Sequence, residues 1–134
     1  MKRSFRNSLP IRIDIALLIL RIWLGATLFA KHGLEKVLHF SQMSEHFPDP
    51  IHVGVKTGLV FALIADALCS VLVAIGLFTR LAALIIVINL LVVFAFMHHF
   101  SFQEDHAELV FVYLGSFLVL IFTGAGRFSV DAHL

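Results

Sequence analysis

Four blocks of apolar residues divide the chain, at roughly 13–32, 57–78, 80–99 and 107–125. Each block is continuous and approaches the ~20 residues that a helix needs, at ~1.5 Å per residue, to cross about 30 Å of hydrocarbon. The period-two alternation of a membrane β-barrel strand does not occur in them. The pattern predicts an all-α membrane protein: a four-transmembrane-helix antiparallel bundle, one domain over residues 1–134. A basic segment, MKRSFRNS, precedes the first block, as in a signal peptide. That block is long, contains Arg21 and ends at Lys31-His32-Gly33 with no small-x-small cleavage pattern, so it reads as a retained span.

The connections between blocks are unequal. His39–Val55 is the longest and carries Pro48, Asp49 and Pro50, a turn signature. Thr79-Arg80 reads as a tight hairpin, and His98–His106 is polar, acidic and rich in histidine. Composition supports the membrane reading. The chain is 60% hydrophobic and 14% charged, against about 45–50% and about 25% in soluble domains. A soluble fold of 134 residues would be left with a greasy outside.

Net charge is +1 and the basic residues are scattered, which gives no argument for nucleic acid as a partner. The partners implied are the lipid bilayer and other protein subunits or further copies of the chain. If four spans alternate, Lys2, Arg3, Arg6, Arg12, Arg80 and Arg127 fall on one side. Lys31, Lys36 and Lys56 fall on the other, with most of the acidic residues. The positive-inside rule then expects a bacterial inner (plasma) membrane protein with both termini cytoplasmic. Cys69 is the lone cysteine, so there is no intrachain disulfide and no CxxC motif.

Charges inside the spans carry the functional reading. A central Arg or Asp costs about 2.5–3.5 kcal/mol on insertion scales and should face the bundle, paired. Arg21 and Asp66 both fall near mid-span, and an Arg21–Asp66 ion pair is expected. Such a pair suits either a ligand site or a device that only holds register. Asp14, Arg21, Gly25, His32 and Lys36 share one face of the first helix. On that face Gly25 allows close approach of another helix or a ligand, while His32 and Lys36 also suit snorkelling to headgroups. Asn89 reads as an interhelical hydrogen bond. His98, His99 and Glu108 gather with His32 and Lys36 at the outer ends of the spans, where imidazoles and carboxylates can relay protons or bind a headgroup. Their spacing matches no metal signature. Gly124, Gly126, Arg80 and Asp131 read as structural, a helix stop with its caps and charges. No triad, phosphate loop or dinucleotide fingerprint is present, so no self-sufficient catalytic motif is seen.

The pattern resembles the DoxX family of small bacterial membrane proteins. Arg21, Gly25, His32-Gly33 and Lys36 are similar to its R-x-x-x-G…G-x-x-K signature. Asp66 ahead of Gly76-Leu77-Phe78-Thr79-Arg80 looks like its acidic residue and G-L-F-T-R hairpin. His98-His99, and then Gly124-Ala125-Gly126 with Ser129 and Asp131, follow in the family's order. Two positions depart from the pattern: Asp66 stands where Glu is usual, and Ala125 where Pro is usual.

The resemblance implies a relation to the DoxD subunit of a thiosulfate:quinone oxidoreductase and to membrane oxidoreductase complexes. The expected function is a multi-pass membrane subunit of a redox complex that presents an outward-facing polar site to a quinone or small sulfur compound. Quinone is the cofactor class favoured over metal or haem. The alternatives are a small-solute carrier or binding protein, and a purely structural membrane partner without chemistry.

Overall fold

A computed structural model describes residues 11–46, 52–97 and 107–134. It is an all-helical membrane bundle. The first span, α1 (Ile11–Leu38), is 28 residues long, or roughly 42 Å at 1.5 Å per residue. A short helix, α2 (Phe40–His46), follows. The second span, α3 (Val55–Ile75), has 21 residues. The third and fourth are α4 (Thr79–Val92) and α5 (Ala107–Thr123). The starts of α1 and α4 and the ends of α3 and α5 lie at the terminal end of the bundle. The end of α1, the start of α3 and the start of α5 lie at the opposite end.

Three spans are not pure α-helix. A π-helical turn interrupts α1 at Phe29–Gly33 and α3 at Ile64–Cys69, and another follows α4 at Val93–Met97. Each shifts the residues beyond it around the helix axis, and π turns concentrate at functional sites. The turns at Phe29–Gly33 and Val93–Met97 fall in the half of the bundle away from the termini, and the one at Ile64–Cys69 lies halfway along α3.

Packing follows the apolar faces. Leu24, Leu28, Ala65, Val73, Ile86, Leu90 and Phe117 form the core. Large apolar side chains such as Trp23, Leu68, Leu91 and Phe122 point outward, an outside that suits hydrocarbon and not water. The π-turn glycine Gly33 sits where any Cβ would collide with the Asp66 carbonyl, so α1 and α3 meet backbone to backbone.

The α3–α4 turn is Gly76–Phe78, three residues ahead of the expected Thr79-Arg80 hairpin, and those two residues open α4. Gly76 takes φ +79° and completes a Schellman ending, with Leu77 N–H on Leu72 C=O (2.9 Å) and Gly76 N–H on Val73 C=O (3.1 Å). The tail then returns beneath this turn. Asp131 accepts hydrogen bonds from the amides of Phe78 (2.7 Å) and Thr79 (3.0 Å) and so caps α4 from 52–53 residues away. Gly124 and Gly126, both at positive φ, end α5 as the sequence suggests.

Candidate functional site

Asp66 lies halfway along α3, inside its π turn, and is 5% exposed. Its partner is Lys36, whose Nζ stands 2.7 Å from Asp66 Oδ2. Asn89 of α4 adds a weaker contact, donating to Asp66 Oδ1 at 3.4 Å. Lys36 also donates to the His32 carbonyl at 3.4 Å. Ser70, one turn on, donates to the Asp66 and Ala67 carbonyls (2.6 and 2.9 Å) and satisfies backbone groups that the π turn leaves exposed. Three helices thus meet at one buried ion pair.

The expected Arg21–Asp66 pair does not form. Arg21 is fully buried, but its guanidinium donates to the carbonyls of Val73 (3.5 Å), Ala74 (3.3 Å) and Phe128. Asp131 supplies the opposing charge. The seven to eight residues between Asp66 and those α3 carbonyls span roughly 11 Å of helix axis. Two physical facts set the register. First, α1 overshoots its apolar block, so the two span centres do not coincide. Second, helical side chains lean toward their helix N-terminus. Arg21 therefore leans away from Asp66, whereas Lys36 leans back toward it.

The other expected residues divide between the two ends. Gly25 packs on Ser70 and Ala74, below the ion pair. His32 belongs to the cluster: its ring meets Tyr113 of α5 edge-on, with centroids 6.5 Å apart and planes at 84°. Glu108 is exposed on the first turn of α5. His98 and His99 lie outside the described residues. At the terminal end, Asp14 accepts from the Arg127 amide (3.1 Å) and approaches its Nε (3.3 Å). Arg80 is exposed and donates to the Phe122 carbonyl at 3.4 Å. The Asp14, Arg21, Arg127 and Asp131 contacts fasten the tail to α1, α3 and α4.

Tyr113 and Ser70 belong to the site and were not singled out by sequence. Tyr113 is 6% exposed, packs on Phe117 and lies within electrostatic reach of Asp66. It had a signal: it is the one tyrosine in a chain with 14 phenylalanines, and a buried tyrosine carries a hydroxyl that needs a polar neighbour.

Chemically, the site is an ammonium, a carboxylate, an amide and a phenol in apolar surroundings. Its two full charges cancel. It can donate hydrogen bonds to a neutral acceptor, whereas a proton taken up at Asp66 alone would leave the Lys36 ammonium as an unpaired charge in the core.

The profile of the DoxX family matches residues 16–99, which include Arg21, Gly25, Lys36, Asp66 and Asn89. An uncharacterized protein of Haemophilus influenzae is 29% identical over 132 residues, covering 87% of this chain and 82% of its own length. No solved structure matches the chain. On the extent of the profile match and the helical membrane bundle that carries it, the chain is a member of the DoxX family.

Proposed function

We propose that this DoxX protein is a multi-pass membrane subunit of a redox complex, and that its Lys36–Asp66 site binds the headgroup of a quinone. The carrying observation is the 2.7 Å ion pair buried at mid-span on α3. Ionisable residues at such depth are expensive and point to function by default. The residues present fit a quinone headgroup. Lys36, Asn89 and Tyr113 carry donors suited to its carbonyl oxygens, and the bundle core around them, with Leu28, Ala65, Leu90 and Phe117, is apolar. A small sulfur oxyanion fits less well, because its charge would add to a site that is already neutral.

In this reading a partner protein supplies the two electrons that reduce the quinone, water supplies the two protons, and the Lys36–Asp66 pair holds the headgroup by hydrogen bonds. In the same reading the membrane is the bacterial plasma membrane, the termini are cytoplasmic and the Lys36 end of α1 faces outward. This orientation rests on the basic residues Arg12, Arg80 and Arg127 at the terminal end.

Equilibrium binding of a long-tailed quinone to the protein in lipid nanodiscs tests the proposal. Lys36→Met and Asp66→Asn should each weaken binding by about tenfold or more, the loss of one charge-assisted hydrogen bond of ~1.5–3 kcal/mol. Unchanged affinity in both variants, with the helical fold retained, would leave the pair a purely structural clasp.

A further inference from the structure

The four spans do not close on one another equally. α1 and α3 touch through backbone at Gly33, α3 and α4 are tied by Asn89 on Asp66, and α4 and α5 lie along each other, with Phe94 and Phe111 rings 5.6 Å apart. Among the described residues α1 and α5, by contrast, meet over a short stretch only. The bundle has a seam on that side.

Level with the ion pair, side chains close the seam. His32 comes from the π turn of α1 and is half-buried; Tyr113 stands behind it on α5, 6% exposed. Their rings meet edge-on across the gap. Asp66 lies within electrostatic reach of both Tyr113 and the buried thiol of Cys69. Val110 and Leu114 of α5, partly buried, flank the same turn. A T-shaped ring pair contributes only ~0.5–1.5 kcal/mol beyond its buried area.

We propose that His32 and Tyr113 form a side gate between α1 and α5, through which a lipid-dissolved ligand reaches the Lys36–Asp66 pair from within the bilayer. The gate rests on the reading of that pair as the ligand site. It narrows the ligand class to molecules that partition into the membrane, and it puts Tyr113 at the entrance to the site.

Cys69 is a built-in reporter, because it is the only cysteine and is buried in the same core cluster as Tyr113. Its rate of reaction in nanodiscs is measured with lipid-soluble N-phenylmaleimide and with a charged, water-soluble methanethiosulfonate. His32→Ala and Tyr113→Ala should each raise the lipid-soluble rate on the order of tenfold, as a local opening made easier, and leave the charged rate unchanged. Tyr113→Phe keeps the ring and should behave as wild type. The gate is overturned if neither truncation changes the rate, if both reagents accelerate together, or if the charged reagent reaches Cys69 first in the wild-type protein. No quinone takes part in this readout. Lost gating with intact quinone binding would remove only the gate, and intact gating with no quinone binding would remove only the proposed ligand.

Discussion

Lys36 and Asp66 join the far end of α1 to the middle of α3 through a 2.7 Å ion pair, and each side chain is less than one-tenth exposed. Removing one partner of a buried pair leaves an uncompensated charge. Lys36→Met and Asp66→Leu should therefore each cost about 3–5 kcal/mol. The double variant should recover about 1–3 kcal/mol relative to additivity. Arg21→Met combined with Asp66→Leu should be additive, since no contact joins Arg21 to Asp66. Detergent-titrated unfolding of the single and double variants gives both cycles; coupling of Arg21 to Asp66 in place of Lys36 would reverse the assignment.

The bundle and its polar face were legible in the sequence, because continuous apolar blocks and in-span charges are local signals. The pairing was not. Register between α1 and α3 depends on where α1 stops and on the π turns at Phe29–Gly33 and Ile64–Cys69, and none of these has a composition signal. Equal distance from apolar block ends put Arg21 opposite Asp66, but the direction in which each side chain leans chose Lys36. Asp131 as a structural residue of the tail was legible from its type; its targets, the amides of Phe78 and Thr79, required the tail's return path.

That return path makes the tail part of the bundle. Asp131→Ala removes two hydrogen bonds at the start of α4 and should lower stability by about 1–2 kcal/mol, in the range of a strong helix cap. Asp131→Asn, which keeps one acceptor oxygen, should lose less. Thermal unfolding in detergent followed by circular dichroism orders the three proteins, and equal melting in all three would deny the cap.

Gly33 should tolerate no side chain. A Cβ there meets the Asp66 carbonyl and the Ala67 backbone. Gly33→Ala should cost about 1–3 kcal/mol by overpacking and should also weaken quinone binding by pushing α1 from the ion pair. Gly115, where a Cβ meets open space, supplies the control: Gly115→Ala should be neutral or slightly stabilising through helix propensity. Stability assays on the two variants, with quinone binding measured alongside, make the comparison. Equal behaviour of the two would contradict the backbone contact.

Orientation has its own test. A reporter fused after Leu134 should be active in the cytoplasm. A cysteine replacing the exposed Glu108 should react with an impermeant thiol reagent added to whole cells. The opposite pattern would invert the bundle and place the site end inside.

The claim that matters most is that a ligand engages the Lys36–Asp66 pair itself. Infrared difference spectroscopy on the membrane-embedded protein, recorded as quinone is added, reads this directly. The account predicts a change in one buried carboxylate band that disappears in Asp66→Asn and shifts in Lys36→Met, while Asp14→Asn leaves it in place. A difference spectrum without any carboxylate change, or one that persists unaltered in Asp66→Asn, would contradict it.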